Sequence, residues 1–182
     1  MKFTPTSIPD VILLEPRVFG DSRGFFMETF QAKEFAQAGI CINFVQDNHS
    51  GSQKGILRGL HYQIVHPQGK LVRVIAGEVY DVVVDLRKNS ATFGQWVALY
   101  LSAENKQQLW IPPGFAHGFY VVSDWAEFTY KVTDFYAPEY ERTLLWDDPH
   151  LAIPWPLADN QPPVLSAKGR QGKSLDEVEL FE

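Results

Sequence analysis

The chain has 182 residues, 45% of them apolar and 21% charged, with a formal net charge of −6. That length suits one domain with a full hydrophobic core, and the apolar-to-charged balance excludes a disordered chain. An acidic chain without a basic run is a poor fit to a nucleic-acid partner or a membrane surface.

The first residues, Met1-Lys2-Phe3-Thr4-Pro5, lack the apolar run of a signal peptide, and no window reaches transmembrane length. Cys41 is the single cysteine, so no internal disulfide forms and a reducing cytoplasm is the expected setting. Short apolar, β-branched and aromatic runs then recur between Gly, Pro and Asn-Ser punctuation. They cover Val11–Leu14, Gly24–Phe30, Ile42–Asn48, Ile56–Gln63, Lys70–Ala76, Val79–Leu86, Gln95–Leu101, Gln108–Ile111, Phe115–Val122 and Ala126–Phe135. Strands at this spacing predict an all-β sandwich or barrel in a single domain, 1–182. Thirteen Phe, seven Tyr and five Trp suit such a sheet-rich chain. One early helix is predicted over Gln31–Ala38, stopped by Gly39. Pro149 to Pro163 is proline-rich and irregular, and Ser174–Leu180 reads as a last short helix.

Period-two alternation assigns side chains to faces. In Phe115–Val121 the odd positions are apolar apart from His117, which therefore points inward. In Ala126–Asp134 the even positions Phe128, Tyr130 and Val132 form the apolar face. In Val79–Asp85, Asp81 lies beside Val79 and Val83. Three strands thus send titratable groups to the interior, where polar groups are costly unless they are hydrogen-bonded. The densest polar insertion is Gln46-Asp47-Asn48-His49-Ser50 followed by Arg58-Gly59-Leu60-His61-Tyr62-Gln63. Strict alternation separates Arg58 from His61, so a bulge at Gly59, or a twist of the strand, is needed to bring both to one pocket.

His61 reads either as a hydrogen-bonded core histidine or as a general base, since its ordinary pKa leaves it largely neutral at cellular pH. Arg58 and Lys70 nearby favour a bound anion. Tyr130 is a core tyrosine or a proton donor. Arg23, in Arg23-Gly24-Phe25-Phe26-Met27-Glu28, is a solvated arginine or a phosphate contact, with aromatic rings close by to hold a base. His117 after Pro112-Pro113-Gly114 has the form that ends a metal set in many barrels. With Gln63 where a second histidine of such a set belongs, a metal-free site is expected.

Several long motifs appear in order: Asp21-Ser22-Arg23-Gly24-Phe25-Phe26, Phe44-Val45-Gln46-Asp47-Asn48-His49-Ser50, Leu57-Arg58-Gly59-Leu60-His61-Tyr62-Gln63, Gln68-Gly69-Lys70-Leu71-Val72-Arg73 and Ile111-Pro112-Pro113-Gly114-Phe115-Ala116-His117-Gly118-Phe119. With these, from about Ile8 to near the C-terminus, the chain resembles the dTDP-4-dehydrorhamnose 3,5-epimerases. The resemblance implies a cupin-type jelly roll, a homodimer and no cofactor. It implies conversion of dTDP-4-dehydro-6-deoxy-D-glucose to dTDP-4-dehydro-L-rhamnose, within dTDP-L-rhamnose biosynthesis. Carried over by position, His61 is the proton acceptor, Tyr130 the donor at C5, and Lys70 the cation near the keto oxygen. Arg23, Phe26, Glu28, Gln46, Asp47, Asn48, Arg58, His117, Glu141 and Lys168 fall on substrate-binding positions, and Tyr136 on the ring that stacks on thymine. The resemblance further implies that the N-terminal strand around Ile8–Leu14 reaches a partner sheet, that Arg23 serves the neighbour's site, and that the tail from about 149 to 182 packs over the barrel.

One position departs from the pattern. The family's tail motif reads Leu-Ser-x-Lys-Asp, its aspartate pairing with the catalytic histidine, whereas this chain has Leu165-Ser166-Ala167-Lys168-Gly169. Either another acid such as Asp81 substitutes or turnover is reduced. A single-carbon epimerase and a nucleotide-sugar-binding cupin without turnover are therefore the alternative readings, with a metal-dependent cupin oxygenase further off.

Overall fold

Alternating apolar and polar residues form thirteen strands in the computed structural model, which describes residues 1–182. In chain order these are β1 (Lys2–Pro5), β2 (Ile12–Glu15), β3 (Val18–Asp21), β4 (Gly24–Met27), β5 (Gln46–Gln53), β6 (Leu57–Gln63), β7 (Lys70–Ala76), β8 (Glu78–Asp85), β9 (Trp96–Ser102), β10 (Gln108–Ile111), β11 (Phe115–Val121), β12 (Trp125–Val132) and β13 (Glu141–Thr143). Two antiparallel sheets face one another, ordered β1-β2-β10-β7-β12-β5 and β13-β6-β11-β8-β9, and β3-β4 forms a separate hairpin. Non-consecutive neighbours within each sheet are the crossovers of the expected jelly roll. No helix is long and apolar enough to cross a membrane.

The main core lies between the sheets. Val72, Val74, Leu109 and Phe128 of the larger sheet meet Val79, Val83, Leu101 and Phe119 of the smaller one. Fully burying each such side chain is worth about 1.5–3 kcal/mol. A second cluster covers the outer face of the smaller sheet, where Leu60, Tyr62, Val82 and Val84 pack against Leu144, Leu151 and Ile153, with Trp155, Leu175, Val178 and Phe181 around them. This tail therefore holds in place the strand that carries His61.

The predicted helix forms as α1 (Ala32–Gln37), with the Gln31 side chain accepting from the Lys33 and Glu34 amides. Gly39 follows at φ +82°, a conformation that suits glycine. Phe35 buries the inner face of the helix beside Leu14 and Trp110.

Three expectations change. Residues 42–45 lie outside the strand expected over Ile42–Asn48; β5 begins at Gln46 and runs on through Asn48-His49-Ser50 to Gln53, because every one of its residues pairs with β12. As the sheet's edge strand it tolerates polar residues that a local reading takes for a break. Val18–Asp21, not predicted as a strand, pairs with Gly24–Met27. Ser174–Leu180 makes only one turn, with the Glu177 and Val178 amides donating to the Ser174 carbonyl. Phe181 then pairs with Leu86 and Lys88, and that extended pairing leaves no room for a helix.

Candidate active site

The predicted bulge forms. On β11, His117 opposes His61 while Phe119 opposes Arg58, so three steps along β6 answer two along β11. Gly59 sits in the bulge at φ +136°, where a Cβ would collide with Gly118. The extra residue re-aims the strand, and Arg58 and His61 both line one cavity of about 580 Å³.

That cavity opens between the two sheets. The smaller sheet contributes Arg58, His61, Gln63, His117 and Phe119, and the larger one Gln46, Asn48, Ser50, Lys70, Phe128 and Tyr130. Tyr136 and Glu141 stand at its rim, and Val164-Leu165-Ser166 from the tail close one side. His61 and Tyr130 therefore occupy facing walls of a single compartment. Phe119 stacks on Phe128 at 4.2 Å, giving the cavity an apolar lining.

The electrostatics favour proton transfer. Burial lowers the pKa of His61 to about 4, the negative charge of Glu141 working against it, so the imidazole is neutral through the physiological range. Its Nδ1 lies 3.1 Å from Thr143 Oγ1. Lys70 reaches across from the larger sheet and donates to the His61 carbonyl at 3.2 Å. Burial lowers the Lys70 pKa to about 8, opposed by Asp81 and Glu141. The Tyr130 phenol is raised, chiefly by burial and also by Glu141, so it stays protonated.

His117 has the carboxylate partner that the sequence did not reveal, with Nε2 2.9 Å from Asp81 Oδ2. The pair is a diagonal cross-strand contact between β11 and β8. Asp81 is fully buried, and burial raises its pKa against the pull of His117 and Lys70. Asp85, also buried, instead accepts hydrogen bonds from Arg87, Ser90 and Thr92 and fastens a loop. No group of three or more His, Cys, Asp or Glu side chains is arranged to hold a metal ion.

At the rim, Lys168 donates to Glu141 and to the Tyr136 hydroxyl, and the Tyr136 hydroxyl bonds Glu141 at 3.1 Å. Burial raises the Glu141 pKa, but Lys168 and His61 outweigh it and leave the carboxyl lowered. The Tyr136 ring is about half exposed.

Five sequence-predicted residues do not line this cavity: Lys168, which reaches it only through Glu141 and Tyr136, and four that stand apart from it. Asp47 points to the opposite face of its sheet, where it pairs with Lys131 at 2.9 Å and borders a separate groove of about 260 Å³. It follows from the one-residue alternation that sends Gln46 and Asn48 inward. Arg23, Phe26 and Glu28 are exposed on or just after the β3–β4 hairpin, Arg23 pairing only with the neighbouring Asp21. Thr143, Ser50 and the closing segment Val164–Ser166 are members of the site that the sequence reading missed. Ser50 lay within the polar insertion and Leu165-Ser166 within the tail motif without being singled out, whereas nothing local marks Thr143, which reaches His61 through long-range pairing.

The chain is similar to known proteins over almost its whole length. The family model described as dTDP-4-dehydrorhamnose 3,5-epimerase matches residues 5–177. A protein of that description from Pseudomonas aeruginosa is 62% identical over 182 residues, covering 100% of this chain and 99% of the relative. A Legionella pneumophila crystal structure of dTDP-6-deoxy-D-glucose-3,5-epimerase in complex with dTDP-4-keto-L-rhamnose is 53% identical with a TM-score of 0.95, covering 99% and 97% of the two chains. A Streptomyces bikiniensis 3'-monoepimerase in complex with dTDP-quinovose is 34% identical with a TM-score of 0.88, covering 94% and 87%.

Proposed function

The chain belongs to the dTDP-4-dehydrorhamnose 3,5-epimerase family, and we propose that its pocket performs the two inversions with His61 as the base at both carbons and Tyr130 as the acid at C5. It is an isomerase of dTDP-sugars, acting at C3 and C5 of dTDP-4-dehydro-6-deoxy-D-glucose to give dTDP-4-dehydro-L-rhamnose. The C4 ketone acidifies the adjacent C–H bonds. Neutral His61 removes the proton from one face, and the electron pair moves onto the keto oxygen as an enolate. The Lys70 ammonium stabilises that charge. Reprotonation from the opposite face inverts the carbon, with Tyr130 supplying the proton at C5. The observation that carries this reading is the placement of His61 and Tyr130 on facing sheets around one cavity. Incubation with the 4-keto sugar nucleotide in D₂O, followed by NMR, should show label entering at both C3 and C5. Tight binding without label at either carbon sinks the enzyme reading in favour of a binding module.

A single-carbon epimerase is the second reading, favoured by the likeness to a 3'-monoepimerase. Label at one carbon only would establish it.

The pH profile follows from the two shifted groups. The base works only when neutral, so kcat/KM rises as pH climbs through about 4, the His61 value. Lys70 works only when charged, so kcat/KM falls as pH rises through about 8. A bell with those limbs is expected in a steady-state titration.

The hairpin supplies the case for a homodimer. Phe19, Phe25 and Phe26 expose about half or more of their surface there, an apolar patch beside an arginine. Ile8, Val11 and Leu14 are fully buried in this chain's own core, so the reach to a partner is assigned to the hairpin rather than to the strand around Ile8–Leu14. Through it, Arg23, Phe26 and Glu28 enter the neighbour's cavity. A dimeric mass is expected by light scattering at micromolar concentration, and a Phe25→Glu, Phe26→Glu double variant should be monomeric and bind the nucleotide more weakly. The exposed lone thiol of Cys41 accords with a reducing cytoplasm.

Gly169 lies in a short 3-10 turn (Gly169–Gln171) that packs against β6, the strand of His61. A Cβ there meets nothing closer than 3.5 Å, so the backbone accepts a side chain at this position without a clash at its first atom. Gly169→Asp should raise turnover by giving the imidazolium a counter-charge. An unchanged kcat would show that this chain does not need that carboxylate.

A further inference from the structure

We propose that Thr143 is the positioning residue for His61, its hydroxyl setting the imidazole tautomer that leaves Nε2 free to accept the substrate proton. The inference rests on the base role given to His61 above. Thr143 lies directly opposite His61 in the β13–β6 ladder, so the two side chains project from the same face. Its Oγ1 is 3.1 Å from Nδ1 and is the only side-chain atom hydrogen-bonded to the ring.

The acids nearest to His61 in role are engaged elsewhere. Asp81 bonds His117, Glu141 bonds Lys168 and Tyr136, and position 169 is a glycine. A threonine hydroxyl both donates and accepts. When it accepts from Nδ1–H, the lone pair on Nε2 faces the cavity and the ring is a competent base. The same acceptor role persists after proton uptake, when both ring nitrogens carry hydrogen. When it donates to Nδ1 instead, the proton sits on Nε2 and no base is presented. Only the accepting arrangement presents a base, and an uncharged hydroxyl that holds it does not stabilise the imidazolium as a carboxylate does.

Thr143→Val keeps the shape and β-branching of the strand residue and removes only the hydroxyl. Loss of one neutral hydrogen bond predicts a fall in kcat of about tenfold, with KM within twofold of the parent, and Thr143→Ser should restore kcat. Long-range ¹⁵N–¹H NMR of the resting protein should show His61 as the Nδ1–H tautomer and a mixture of tautomers in Thr143→Val. An Nε2–H tautomer in the parent, or a Thr143→Val protein with parental kcat and an unmixed tautomer, overturns the proposal. If the parent exchanges neither sugar proton, the epimerase reading fails, and the tautomer spectra still decide the role of Thr143.

Discussion

His61→Asn should lower deuterium incorporation at both C3 and C5 by about 10³-fold, within the range that a positioned general base contributes. Asparagine is chosen because it retains a polar, planar group opposite Thr143 and leaves the β6 bulge intact. The effect is expected on both carbons, since the proposal assigns each deprotonation to this one imidazole, which lines the cavity. KM should change little, because the binding contacts assigned to Arg58, Gln46, Asn48 and Tyr136 are untouched. Exchange persisting at either carbon at near the parental rate would show that a second base operates there. His117 is then the group to examine, since it lines the same cavity and is already paired with Asp81.

Tyr130→Phe separates the two inversions. The substitution removes one oxygen and keeps the ring tilted against Phe128, where the centroids are 6.1 Å apart. Burial raises the phenol pKa, so the parental hydroxyl holds its proton across the working range, as the acid role proposed for it requires. Formation of the C5-inverted sugar should drop by about 10²-fold or more, while deuterium still enters at C3. The product pool then shifts toward the C3 epimer. C5 inversion at the parental rate would eliminate Tyr130 as the donor and transfer that role to another group on the same wall.

The contrast between these two residues and Thr143 shows where local pattern ends. Alternation alone was enough to send His117, Tyr130 and Asp81 inward, because the pleat leaves each strand residue only two directions and the apolar neighbours identify the core side. The polar cluster around Arg58 and His61 announced a site for the same reason, and Gly59 announced the bulge that the structure contains. The hairpin residues Arg23, Phe26 and Glu28 were recognisable from motif resemblance, yet a single chain keeps them outside its cavity. The partner chain proposed to receive them lies beyond the reach of any pattern within one strand.

Family, strand content, the inward histidine and tyrosine, and the glycine at 169 were all readable from the order of residues, because each depends on the identity of a residue or on spacing within a few positions. The pairing of His117 with Asp81, the turning of Asp47 away from the cavity, the extension of β5 and the contact of Thr143 with His61 came from sheet register. That register joins segments far apart in the chain, 82 residues apart for His61 and Thr143. It is selected by the burial of two whole sheet faces at once, and a one-residue slip would exchange every inward side chain for an outward one.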